Sequence, residues 1–262
     1  MGHHGRMHAQ PGVRARPHTP VAEQSEPNRR LPASSFRSRH SALSDLQRDA
    51  WERRWPELGF SIVPEPPGEP LDTPLDTAAW FGRRAPLVLE IGCGNGVATL
   101  AMAQDEPDID VIAVEIYRRG LAQLLCAIER ERVGNIRLIR GNGIDVLEHL
   151  IAPGSLTGVR VFFPDPWPKA RHHKRRFLQA ATVDLIADRL LPGGVLHAAT
   201  DHPGYAEHIA AVGDAESRFA RVVRVDRGTE SLPISVVRPT TKYETKAQEA
   251  GSEVTELIWK RR

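Results

Sequence analysis

The sequence predicts an α/β fold built on a doubly wound, mostly parallel sheet, and three observations carry that expectation. From residue 86 onward, apolar runs of six to eight residues alternate with amphipathic segments. That order calls for parallel strands joined by crossovers. Glycines at alternate positions, Gly92, Gly94 and Gly96, close the first apolar run. The chain ends on RFARVVRVD and EVTELIWKRR, two apolar runs joined by a polar loop rather than a helix, which predicts a pair of antiparallel strands.

The 262 residues allow one large domain or two small ones. Residues 1–33 are rich in Pro, Arg, His and Gln and poor in large apolar side chains. Such a segment cannot offset its ordering entropy by burial and is expected to be a disordered tail. Residues 34–85 read as a helical and loop extension of one domain spanning 34–262. Within it Leu43, Leu46, Ala50 and Trp51 recur at steps of three and four, predicting a short amphipathic helix near 41–55. VPEPPGEPLDTP is a proline-rich connection. The expected strands are then 87–92, 110–116, 135–142, 159–164 and 195–200. Helices are expected over 97–104, 118–131, 144–150, 177–190 and 205–212.

Composition excludes several classes. No apolar run approaches the roughly 20 residues of a membrane span, so no membrane association is expected. The first residues lack the apolar core of a secretory signal. A net charge of +2 does not by itself announce a nucleic-acid binder, so local distribution must carry that argument. Cys93 and Cys126 form neither a disulfide framework nor a metal spacing, which suits a reducing cytoplasm. The adjacent His172 and His173 lie among five cations and make poor ligands, so no metal is expected.

In sheets of this kind ligands sit at the carboxyl ends of the strands. Glu90, Glu115, Asn142, Asp165 and Asp201 all occupy such ends. The glycine spacing is acidic-x-G-x-G-x-G, with Val97 where a dinucleotide fingerprint has its third glycine. An acid one step before the glycines would repel a pyrophosphate and suits an amine-bearing ligand. Glu115, about 20 residues beyond the loop, is placed to accept ribose hydroxyls. Together these features point to S-adenosylmethionine as cofactor, held by Glu90, Gly92, Gly94 and Glu115, with Asn142 near the adenine.

The chain also resembles the bacterial tRNA (guanine-N7-)-methyltransferase family over roughly residues 34–262. The stretches that carry the likeness are LEIGCGNG, AVEIYRRGL, FFPDPWPKARHHKRRF, ATDHPGYAEH and RPTTKYETKA. The likeness implies a Rossmann-like, seven-stranded class I methyltransferase fold with an antiparallel C-terminal strand. It implies that Asp165 is catalytic and also lines the cofactor site. Lys169, Asp201 and the stretch Thr241, Lys242, Tyr243 and Glu244 would hold the substrate, and Arg171, Lys174, Arg175 and Arg176 would touch RNA. The expected partner is tRNA, with no obligate protein partner and a monomer or weak homodimer as the assembly. Two positions depart from the family: Asn142 stands where Asp is frequent, and Pro168 where His is frequent.

Guanine N7 carries a lone pair and no proton, so the reaction requires no base to create the nucleophile and depends on positioning and electrostatics. Pro164 and Pro166 restrict the backbone around Asp165 and keep its carboxylate aimed at guanine N1–H and N2–H. Trp167 reads equally as a stacking surface or as core. Arg171, Lys174 and Arg175 recur at helical spacing, forming an expected basic face at a helix start where phosphates would sit. Asp201 reads as a substrate ligand or as a helix N-cap. A methyltransferase for a small molecule or protein, and a non-catalytic RNA-binding module, are the competing readings. The basic run over 169–176 and RPTTKYETKA argue against a small apolar substrate, and the intact Glu90, Gly92, Gly94 and Glu115 against the non-catalytic module.

Overall fold

The computed structural model describes residues 42–62, 73–223, 231–240, 244–245, 251 and 253–262, together with Met1. The chain divides into Met1–Pro32 and Ala33–Arg262, and the second unit is the one described here. The tail expected over 1–33 lies, apart from Met1, outside the described residues.

The extension contributes α1 (Asp45–Leu58), β1 (Gly59–Ser61) and α2 (Thr77–Phe81). Ser44 and Gln47 form a reciprocal capping box, which starts α1 at Asp45, later than the amphipathic spacing suggests. Then follow β2 (Leu87–Ile91), α3 (Val97–Asp105), β3 (Asp110–Glu115), α4 (Arg118–Glu131), β4 (Ile136–Arg140), α5 (Gly143–His149) and β5 (Leu156–Phe162). A 3-10 turn covers Ala170–Arg175, followed by α6 (Ala180–Arg189), β6 (Leu190–Thr200), α7 (Pro203–Ala215), β7 (Phe219–Arg221) and β8 (Thr255–Arg261).

The strands form one eight-stranded sheet in the order β1-β4-β3-β2-β5-β6-β8-β7. Six of them are parallel, and β8 runs antiparallel to both β6 and β7. The expected count of seven is corrected to eight by β1, whose three residues are too few to show a periodicity. They pair with Leu138–Arg140 of β4. The expected strand over RFARVVRVD shrinks to Phe219–Arg221 among the described residues.

Strand order reverses between β2 and β5, which places the ligand crevice at the carboxyl ends of β2, β3 and β5. The central strands are buried on both faces, so they read as unbroken apolar runs. Leu89, Ile91, Val159 and Val161 face α5, α6 and α7 through Val146, Leu147, Val183, Ile186 and Ile209. Val88, Val111, Ala113 and Leu138 face α3 and α4 through Ala103, Leu121, Leu124, Leu125 and Ile128. Each fully buried leucine or isoleucine contributes about 1.5–3 kcal/mol of transfer free energy, so this double-sided burial is what holds the crevice rim in register. No helix among the described residues is long and apolar enough to cross a membrane.

Candidate active site

The glycine loop between β2 and α3 holds Gly92, Gly94 and Gly96 at positive φ, of 77°, 58° and 76°. At Gly94 there is open space around the missing Cβ, so the demand there is purely conformational. Gly120 in α4 meets the opposite constraint, because a Cβ there would lie 2.2 Å from the Gly94 carbonyl oxygen. The first turn of α4 therefore presses directly on the loop. Glu115, at the end of β3, ties the two together. Its Oε2 accepts from the Gly94 amide at 3.0 Å, and its Oε1 from the amides of Ile116 at 2.7 Å and Tyr117 at 3.0 Å. Burial nevertheless pushes the Glu115 carboxyl above the usual carboxylate range, and the charge of Asp165 adds to the rise.

Glu90 is buried at 2% exposure, and among the described residues its Oε2 has no hydrogen-bond partner. Burial raises its carboxyl above the ordinary range, opposed by the charge of Arg160. In strand register Glu90 of β2 neighbours Arg160 of β5, which neighbours His197 of β6, so a polar row crosses the sheet one step inside the rim. Arg160 is fully buried; its Nη2 donates to Glu106 Oε2 at 2.6 Å and to the Ser235 carbonyl at 3.2 Å. An orphaned buried carboxylate oxygen beside a glycine loop fits an ammonium-bearing amino-acid ligand, because only a donor can satisfy it.

Asn142 caps α5, its Oδ1 accepting from the Ile144 amide at 3.0 Å. With that oxygen used, the group left for an adenine edge is the Nδ2 donor pair, which suits a ring-nitrogen acceptor rather than the exocyclic amine an aspartate would take.

After β5 the chain turns sharply. Phe163 and Trp167, on either side of Asp165, both have positive φ, of 50° and 43°. Bulky side chains rarely adopt that region, at a cost on the order of 1–3 kcal/mol each. Asp165 between them is exposed. Trp167 is half-buried, as neither an isolated platform nor a core residue: its ring meets His172 edge-on at 5.8 Å, and the Arg175 guanidinium lies 5.1 Å from its centroid.

The cations that follow are not the first turn of a helix, which corrects the expectation of a basic helix start. They lie in the 3-10 turn, and α6 begins only at Ala180: Arg176 and Gln179 are non-helical, the chain bends at Phe177, and the Leu178 amide donates to the Tyr205 hydroxyl at 3.1 Å. In a 3-10 turn Arg171 and Lys174, three apart, share a face. Both are exposed, as is Lys169, while Arg175 is half-buried on Trp167. Arg176 differs: it is 5% exposed, donates to the Pro166 carbonyl at 2.8 Å and the Gly204 carbonyl at 3.4 Å, and stacks over Tyr205 at 4.8 Å. Its guanidinium braces the loop after β5 against the start of α7 instead of facing solvent. His173 Nε2 lies 3.1 Å from Arg176 and His172 Nε2 accepts from Arg171 at 3.3 Å, so both rings serve the turn.

Asp201 is half-buried at the end of β6. It does not cap α7; His202 does, its Nδ1 accepting from the Tyr205 amide at 3.1 Å. Thr241, Lys242 and Tyr243 lie outside the described residues. Glu244 is 3% exposed, with both carboxylate oxygens engaged by Arg238. It is a buried counterion of Arg238.

The structure thus gathers the glycine loop, Glu90, Glu115 and Asp165 at one rim, with the exposed cations Lys169, Arg171 and Lys174 directly after Asp165. Sequence reasoning passed over Arg160, His197, Arg238 and Glu256. Arg160 and His197 had a signal, since each is an ionisable residue flanked on both sides by apolar residues within a strand.

The sequence profile of the family described as "Putative methyltransferase" matches residues 84–257. Over all of both chains, this one is 69% identical to a tRNA (guanine-N(7)-)-methyltransferase of Mycolicibacterium paratuberculosis. It is equally similar, at 69% over 100% of both chains, to that of Mycobacterium avium. It is 67% identical to that of Mycobacterium tuberculosis, covering 100% of this chain and 96% of the relative.

Proposed function

The chain belongs to the tRNA (guanine-N7-)-methyltransferase family, and we propose from that premise that it methylates N7 of a guanine in the variable loop of tRNA, leaving 7-methylguanosine, in the cytoplasm. The observation that carries the reading is the juxtaposition of an acid-lined glycine crevice, fit for a cationic cofactor, with exposed Lys169, Arg171 and Lys174 one loop away, fit for a polyanion.

Glu90 and Glu115 would hold the amino-acid and ribose parts of S-adenosylmethionine, with Gly92 and Gly94 lying against it and Asn142 toward its adenine. When bound, that cofactor supplies an electrophilic methyl group. The protein's own contribution is to bind and aim the base. Asp165, exposed between two strained residues, accepts hydrogen bonds from guanine N1–H and N2–H. Its negative charge also stabilises the positive charge that develops on the purine. Since N7 has no proton to lose, no side chain must act as a base before attack. Lys169, Arg171 and Lys174 grip phosphate, and Trp167 with Arg175 shapes the approach to Asp165. Asp201, at the end of the neighbouring strand, stands on the substrate side.

Labelled S-adenosylmethionine incubated with the protein and bulk tRNA, followed by aniline cleavage at N7-methylguanine, tests the proposal. Cleavage at one variable-loop guanine is expected. Label confined to protein or small molecules would sink it, and tRNA binding without transfer would favour a non-catalytic RNA-binding module.

A further inference from the structure

The segment after β7 returns across the sheet on the α3/α4 side. Ile234 is buried there, where it occupies the space a Cβ on Gly158 would take, with Leu232 and Val236 packed beside it. Two buried arginines fasten this strap. Arg160 takes the Ser235 carbonyl from below, while Glu106 Oε1 accepts from the Ser235 amide at 2.6 Å. Arg238, whose side chain is 4% exposed, does more. It engages both oxygens of Glu244 and donates to Glu256 Oε1 on β8 at 3.1 Å, and the other oxygen of Glu256 meets His197 Nε2 on β6 at 2.8 Å. Its guanidinium also lies 4.9 Å from the ring centroid of Phe163 and 5.5 Å from that of Phe162.

Phe163 is one of the two positive-φ residues that turn the chain into Pro164-Asp165. A strained backbone persists only where its surroundings over-determine it. For Phe163 those surroundings include the hydrogen bond from its amide to the Ala199 carbonyl at 2.8 Å, the buried cluster of Met102, Phe162 and Ala199, and the cation lying over its ring.

We propose that Arg238 is a positioning residue for methyl transfer, clamping the strap of residues 231–238 onto Phe163 and so fixing the turn that presents Asp165. The proposal rests on the function proposed above for its catalytic readout, but not for its structural one. One planar guanidinium satisfies two carboxylates and caps an aromatic ring at once, which a point-charge ammonium does not reproduce. Glu244 and Arg238 thus act as one unit, and the strap reports to the β5 turn through contacts that no local sequence pattern records.

Three readouts on Arg238→Met and Arg238→Lys test this: kcat/KM for tRNA, the dissociation constant of S-adenosylhomocysteine, and amide exchange over residues 232–237. For Arg238→Met the expected result is a loss of kcat/KM on the order of 30-fold or more. Cofactor-product affinity should hold within about threefold, and exchange should rise in 232–237 but not in β2–β4. Arg238→Lys should recover part of the loss, since one carboxylate contact survives. Retained kcat/KM, unaltered exchange, or a fall in cofactor affinity equal to the fall in turnover would each overturn the assignment, the last by showing damage to the whole domain. Should the wild-type protein methylate no tRNA, the functional reading fails, and exchange at 232–237 still decides whether Arg238 clamps the strap.

Discussion

Replacing Gly120 by alanine should weaken the cofactor site far more than it weakens the fold. The added Cβ would stand 2.2 Å from the Gly94 oxygen, whereas real Cβ atoms essentially never come within 3.0 Å of a neighbouring atom, so the loop must retreat by roughly 0.8 Å. That shift falls on the bond from the Gly94 amide to Glu115, 3.0 Å long in the structure. A hydrogen bond to a charged group contributes about 1.5–3 kcal/mol. Binding must restore the retreated loop at a cost of that order, which at about 1.4 kcal/mol per decade weakens it by roughly 10- to 100-fold. The fold has compensation: overpacking costs about 1–3 kcal/mol, but alanine gains up to about 1 kcal/mol over glycine within a helix. Titration calorimetry with S-adenosylhomocysteine, alongside thermal melting, separates the two effects. Gly134→Ala is the control, since a Cβ there meets nothing within 4 Å. An affinity within threefold of wild type for Gly120→Ala would refute the claim that α4 braces the glycine loop.

Three further outcomes follow from the site. The Glu90 and Glu115 carboxyls are held above their ordinary values, chiefly by burial. Protonated, they favour the fold, and this contribution is lost as pH rises through their folded values; ionised, they favour a cationic ligand. Cofactor-product affinity should therefore fall as pH drops into the range just above that of an exposed carboxylate, and Glu90→Gln should flatten this dependence in a calorimetric pH series. Arg171→Ala with Lys174→Ala should weaken tRNA binding and reduce the slope of log K against log salt by about one to two units, measured by filter binding at several salt concentrations. An unchanged slope would remove these side chains from the phosphate contact. Arg176→Met should depress methyl transfer by about tenfold or more without altering that slope, because its guanidinium holds the Pro166 carbonyl and not a phosphate; a shift in slope equal to that of Lys174→Ala would reverse this division.

The site was legible in unequal parts. Glu115 and the glycines could be read because they combine a local backbone demand with a spacing that follows from one β-α-β unit. The 3-10 turn could not, since the same cations at intervals of three and four fit an α-helix equally well. The partners that hold the chain after that turn are remote, among them the Tyr205 hydroxyl, 27 residues beyond the Leu178 amide it accepts from. Trp167 stayed ambiguous for a similar reason: its partners His172 and Arg175 come from the turn that follows it.

Alternation of apolar periods, the conformational freedom of Gly92 and Gly94 and the acids at strand ends are properties of short stretches of chain. The sequence by itself therefore determined the α/β class and the gathering of glycines and acids along one edge of the sheet. Which charges remain in water was decided only by tertiary structure. Arg176 and Arg171 sit in one basic run, yet one is buried against a carbonyl and the other is exposed. Glu244 has both oxygens on Arg238, which also reaches Glu256 on β8, itself bonded to His197 on β6. The physical reason is desolvation: a buried charge persists only with its partner, and those partners lie on elements that folding alone brings together.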